Sequence, residues 1–156
     1  MLGLLAGALA LPRGAGAATG TYQAMLLNCI DPRFTTGSFA YMAARGMRDE
    51  YSHFVIAGGP IGAVHPRFAG WHAAFWENLA VSVELHRIRG VIALTHRDCG
   101  AARLAFGDAA VADRARETAS HAEALRAFRA EAGRRQPALT TLTGIMALDG
   151  SVEVLS

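Results

Sequence analysis

Residues 71–100 read WHAAFWENLAVSVELHRIRGVIALTHRDCG, and the fold class turns on this stretch. Trp71, Phe75, Leu79 and Val83 recur every four residues, which predicts a helix over residues 71–89 with one apolar face turned inward. Gly90 then stands as a stop after His86, Arg87 and Arg89, basic side chains suited to the negative end of the helix. Val91-Ile92-Ala93-Leu94-Thr95 follows at once. An unbroken apolar run of that length suits a strand covered on both faces, the usual state in a parallel sheet. A helix running into such a strand through a tight joint is half of a strand-helix-strand crossover, whose hand is right-handed.

Upstream, residues 22–29 read as a first strand ended by Asp31-Pro32, and Thr35, Thr36 and Ser38 offer N-caps for a helix over residues 39–45 that stops at Gly46. Residues 53–57 read as a second strand closed by Gly58-Gly59-Pro60, with residues 61–70 as loop. Downstream, residues 101–106 and 112–132 read as helices. Residues 139–148 and 152–155 flank Asp149-Gly150, a dipeptide favoured at two-residue hairpin turns. The expectation is an α/β fold, a mostly parallel β-sheet flanked by helices. Neither an internal repeat nor a linker interrupts it, so residues 19–156 are expected to form a single domain.

The composition agrees: 52% of the 156 residues are hydrophobic and 18% charged, which excludes a disordered chain. A formal net charge of +2, with no basic cluster beyond Arg134-Arg135, excludes nucleic acid as a partner on electrostatic grounds. Residues 2–11 are wholly apolar or glycine and lead to Ala15-Gly16-Ala17, so residues 1–18 are expected to be a signal peptide or a disordered tail. The run is too short to span a bilayer. Cleavage would make the protein periplasmic or secreted; otherwise it is cytoplasmic.

The chain has two cysteines, each in a polar cluster at the end of an apolar run: Cys29-Ile30-Asp31-Pro32-Arg33 and His96-Arg97-Asp98-Cys99-Gly100. On a parallel sheet, Cys29 and His96 fall at the C-terminal ends of two strands, where such sheets bind ligands, and Cys99 falls on the turn into the next helix. Two thiolates and one imidazole form a soft, tetrahedral-leaning donor set that favours Zn2+, with iron second, and three ligands leave the fourth position open. Two thiolates neutralise most of the charge on the ion, so other groups must help to activate water. Arg33 can hold Asp31 in a bidentate pair, and Asp31 can orient that water and accept its proton.

Buried free cysteines, or a disulfide, are the plain alternatives for the two thiols, and an ordinary loop ion pair is the alternative for Asp31 and Arg33. His53, His65, His72, His86 and His121 read as surface or satisfied core histidines, with His65 best placed for a proton shuttle. Trp71, Phe75 and Trp76 read as helix packing. Position 35 is Thr35 and not the arginine of a thiol phosphatase, Cys-x-x-Cys is absent, and the glycines at 58, 59 and 62 lack a P-loop lysine.

Together the two segments resemble the signatures of the beta-class carbonic anhydrases, Cys-x-Asp-x-Arg and His-x-x-Cys-Gly, in the same order, with the likeness covering about residues 22–155. The resemblance implies zinc on Cys29, His96 and Cys99, Asp31 and Arg33 as the catalytic pair, and reversible hydration of carbon dioxide to bicarbonate. It also implies a homodimer or higher homo-oligomer. Some family members close the metal with the aspartate itself. A carbonyl sulfide or carbon disulfide hydrolase on the same scaffold, or a catalytically silent zinc-binding protein, are the other readings. The family's usual Arg-Asn-Ala-Gly-Asn stretch stands here as Val55-Ile56-Ala57-Gly58-Gly59, without either asparagine.

Overall fold

The structure, a computed structural model, describes residues 20–155; the expected signal peptide or tail lies outside them. Four parallel strands, β1 (Ala24–Asn28), β2 (Tyr51–Val55), β3 (Gly90–His96) and β4 (Thr140–Met146), and an antiparallel edge strand, β5 (Val152–Val154), form one sheet. The order is β2-β1-β3-β4-β5. The chain steps from β1 to one side and then returns to the other, so the switch point of the sheet lies between the C-terminal ends of β1 and β3.

Alternation along β1 and β3 divides the core. Met25, Leu27, Val91 and Ala93 meet Phe75, Trp76 and Leu79 of α3 (Ala69–His86) and Phe128 of α5 (Arg114–Arg135) on one face. Ala24, Leu26, Ile92 and Leu94 meet Phe34 and Met42 on the other, where α1 (Thr35–Ala44) packs. A mostly parallel sheet flanked by helices is thus the architecture, as the apolar runs of β1 and β3 predict.

Several local expectations give way. Residues 61–70 are not loop: α2 (Pro60–Val64) and a 3-10 turn at Pro66–Phe68 each start on a proline whose fixed φ suits a first helical position, and Ile61 and Ala63 are fully buried. Strand β2 lies two residues upstream of the expected span. Ile56 is diverted into a turn, its N–H donating to Asn28 O at 3.1 Å and its carbonyl accepting from Gly59 at 2.8 Å. Helix α1 starts at Thr35 with no side-chain cap, because the short turn Pro32–Phe34 feeds it directly and Asp31 caps that turn instead. The expected two-residue hairpin is a longer loop: Asp149 Oδ1 accepts from the Ser151 N–H at 2.9 Å, and Gly150 takes φ +84°. Trp71 leaves the packing face and is 41% exposed.

Candidate metal centre

Cys29 follows β1 directly and His96 ends β3, so the switch point brings both to one place. Cys99 is the N-cap of α4 (Gly100–Phe106). The sulfurs of Cys29 and Cys99 and a ring nitrogen of His96 lie within 4.8 Å of one another, and all three residues are buried. Both cysteines are free thiols, so the disulfide alternative falls. His96 Nδ1 is 2.9 Å from the Arg97 carbonyl, which assigns the proton to Nδ1 and leaves a lone pair on Nε2. That Nε2 is buried without a hydrogen-bond partner. An orphaned imidazole nitrogen facing two thiols fits a soft divalent ion, since such a group otherwise costs stability. Phe34 packs on the imidazole at 4.1 Å between centroids and fixes its plane.

The turn after β2 completes the pocket around Cys29. Gly58 N–H donates to Cys29 Sγ at 3.1 Å. Gly59 takes φ +55°, and a Cβ there would lie 2.8 Å from Leu94 O, so the close approach of this turn to β1 and β3 requires glycine. The Cys99 thiol beside it lowers the pKa of Cys29 against the effect of burial, and the Cys29 thiolate, with burial, raises that of Cys99. One proton shared between the two sulfurs is the physical content of this pair.

Asp31 and Arg33 form the expected bidentate pair. Arg33 Nε donates to Asp31 Oδ1 at 3.0 Å and Nη2 to Oδ2 at 2.7 Å, and the Arg33 backbone N–H adds a bond to Oδ1 at 3.0 Å. Arg33 holds the Asp31 carboxyl down at about 2, so it is ionised across the neutral range. Asp31 Oδ2 is 4.0 Å from His96 Nε2 and so faces the donor cluster.

Other contacts escaped the sequence. Asp98, between His96 and Cys99, accepts from Arg33 through Oδ2 at 2.7 Å and through its carbonyl at 3.1 Å. Glu117 of α5 accepts from the Asp98 N–H at 2.6 Å. No short-range spacing connects residues 19 positions apart on different elements. Ile30, Phe68, Trp71 and Leu104 line a cleft of about 350 Å³ that opens onto Cys29 and His96, and Phe68 and Trp71 stack at 4.7 Å. Trp71 is therefore part of a mouth as well as of a helix. His65 does not line that cleft; its ring accepts from the Arg67 N–H and meets Phe106. His121 is not a satisfied core histidine: it is fully buried with neither ring nitrogen paired.

No protein-family model matches the chain. An uncharacterized protein of Rickettsia conorii is 28% identical over 129 residues, 83% of this chain and 69% of that protein, and one of Rickettsia bellii is 26% identical over 83% and 79%. Among solved structures, the carbonic anhydrase of Glaciozyma antarctica superposes with a TM-score of 0.58 at 18% identity, covering 92% of this chain and 87% of that one. A beta-carbonic anhydrase of Aspergillus fumigatus gives 0.57 at 15% identity over 88% and 76%. One of two tetrameric beta-carbonic anhydrases of Sordaria macrospora gives 0.56 at 12% over 88% and 82%. The chain shares the fold of these enzymes.

Proposed function

We propose that this protein is a zinc-dependent carbonic anhydrase of the beta class, hydrating carbon dioxide reversibly to bicarbonate, with Cys29, His96 and Cys99 as ligands and Asp31 and Arg33 as the catalytic pair. The observation that carries the reading is the unpartnered His96 Nε2 facing two thiols beneath an ionised Asp31. Zinc held by Cys29, His96 and Cys99 would supply a Lewis acid that makes water more acidic. The chain's own residues do the rest. Arg33 occupies both oxygens of Asp31 and leaves it the remaining lone pairs with which to orient that water and take its proton. Gly58 N–H supports Cys29, the Arg97 carbonyl fixes the His96 tautomer, and the apolar mouth admits a small uncharged substrate.

In the same proposal residues 19–156 act as one domain, and the chain assembles into a homodimer or higher homo-oligomer, as the Sordaria enzymes form tetramers. Among the described residues no helix is long and apolar enough to cross a membrane.

Stopped-flow carbon dioxide hydration by purified, metal-analysed protein across a pH range tests the proposal. One zinc per chain and hydration that rises with pH is the expected result. One zinc without hydration at alkaline pH refutes the carbonic anhydrase and leaves a silent zinc-binding protein, whereas no zinc removes both. A second reading, hydrolysis of carbonyl sulfide or carbon disulfide, is favoured by one observation, the apolar rim of Ile30, Trp71 and Leu104. Sulfide release from either substrate, measured beside hydration, separates the two.

A further inference from the structure

Between His96 and Cys99 the backbone makes a tight turn with one left-handed residue. Asp98 adopts φ +56°, a left-handed conformation that a non-glycine residue occupies at a cost, although aspartate bears it better than most. That turn sets the distance between two of the three candidate ligands. The Arg97 N–H donates to Met146 O at 2.9 Å and the His96 ring meets the Arg97 carbonyl, and a side chain from α5 holds the left-handed residue itself. Glu117 Oε1 accepts from the Asp98 N–H at 2.6 Å, and Glu117 Oε2 accepts from Arg97 Nη1 at 3.2 Å. Both oxygens of one carboxylate thus accept from consecutive residues of the turn, the Asp98 bond short and the Arg97 bond strengthened by charge.

The clamp extends in both directions. Arg97 is only 6% exposed, and its guanidinium also meets Thr118 Oγ1 at 2.7 Å and Glu153 Oε2 at 2.9 Å, which ties the turn to α5 and β5 at once. Asp98, held by Glu117, in turn holds Arg33, and Arg33 holds Asp31. A continuous series of bonds therefore runs from α5 to the carboxylate that faces the donor cluster.

We infer that Glu117 is a positioning residue of the metal centre: its carboxylate bridges the Asp98 amide and the Arg97 guanidinium, and so fixes the turn that presents His96 and Cys99 and anchors Arg33. The inference rests on the reading of Cys29, His96 and Cys99 as a metal site and adds to it a residue that neither motif contains. Outer partners of this kind carry about 10- to 100-fold in metal affinity where they have been removed.

The experiment compares the full-length wild type with Glu117→Ala, Glu117→Gln and, as a control on the exposed side of α5, Glu123→Ala. Zinc affinity is measured by chelator competition, the visible spectrum of the cobalt-substituted protein reports ligand geometry, and amide hydrogen exchange reads the Asp98 N–H. Glu117→Ala is expected to weaken zinc binding about 10- to 100-fold, to alter the cobalt spectrum and to lose protection at Asp98. Glu117→Gln keeps one acceptor for the Asp98 N–H and is expected to recover most of the affinity and the protection, and Glu123→Ala to match the wild type. Unchanged zinc affinity and cobalt spectrum in Glu117→Ala overturn the inference, as does an Asp98 amide that exchanges freely in the wild type. If Glu117→Ala does not fold, Glu117→Gln and the wild-type exchange rate decide. A wild type that takes up no zinc overturns the metal reading itself, and Asp98 protection kept by Gln then still separates an intact clamp from a failed one.

Discussion

Replacing His121 by leucine should remove an acid-sensitive element from the core without harming the fold at neutral pH. The ring is fully buried on α5, and neither nitrogen has a hydrogen-bond partner. Burial pushes its pKa from 6.5 down to about 4, with Glu117 opposing the fall and Arg97 and His96 adding to it. The folded state therefore binds fewer protons here than the unfolded chain. Its contribution is complete above pH 6.5 and is lost as pH falls from there towards 4. At about 1.4 kcal/mol per tenfold in proton affinity, that interval corresponds to about 3 kcal/mol, of which about 2 kcal/mol goes between pH 7 and pH 5. Leucine carries no proton and leaves no buried nitrogen unpaired, so His121→Leu should equal or exceed the wild type at pH 7 and gain about 2 kcal/mol on it by pH 5. Urea unfolding followed through tryptophan fluorescence at pH 7, 6 and 5 measures the difference, and groups common to both proteins cancel. Parallel stability curves would refute the reasoning, and a loss of several kcal/mol at pH 7 would show that the ring has a partner.

Three further outcomes follow from the same contacts. Gly59→Ala places a methyl 2.8 Å from Leu94 O and 3.0 Å from Asn28 C at φ +55°, so thermal unfolding should reveal a loss of more than about 2 kcal/mol. Phe128→Ala empties the centre of the Phe75, Trp76 and Phe128 cluster, whose rings lie 4.7 to 5.6 Å apart, and should cost about 3–5 kcal/mol in urea. Cys99→Ser should abolish zinc binding by metal analysis, whereas Asp31→Asn should keep the metal and lose hydration; equal zinc loss in both would make Asp31 a ligand.

The fold was legible where the chain is unbroken and apolar. Residues 22–29 and 91–95 read as strands covered on both sides, close to the observed β1 and β3, and their order around a long helix implied a parallel sheet with Cys29 and His96 at adjacent strand ends. Legibility failed where tertiary contacts chose among local options. The stretch holding Ile61 and Ala63 looked like loop because prolines and glycines punctuate it, yet burial makes it helical. Trp71 fitted the four-residue period of α3, but its ring turns instead onto Phe68. In the site, residues two or three positions apart could be read directly, since such spacing fixes their approach. Glu117 could not, because only the docking of α5 brings it to Asp98.

The pair on which the proposed centre's chemistry turns is partly exposed. The Asp31–Arg33 pair has good geometry, but the Arg33 side chain is 45% exposed, and pairs that wet contribute little to stability. Moving Asp31 off Arg33 would leave the guanidinium far from empty, because Asp98 still takes Nη1 and Nη2. Without Asp31, Arg33 would lose the partner of Nε and keep Asp98 on both Nη atoms, which lowers the cost of turning Asp31 towards the donor cluster. In the proposed centre, the placement of Arg33 relative to the cluster would then decide, more than the strength of the pair, whether Asp31 acts as an orienting base or as a fourth ligand. Asp98 shares in that placement, through its backbone carbonyl as well as its exposed carboxylate, and Glu117 holds its N–H. In the proposed centre, control of the fourth position would in this way depend on a bond with α5 as well as on the partly exposed Asp31–Arg33 pair.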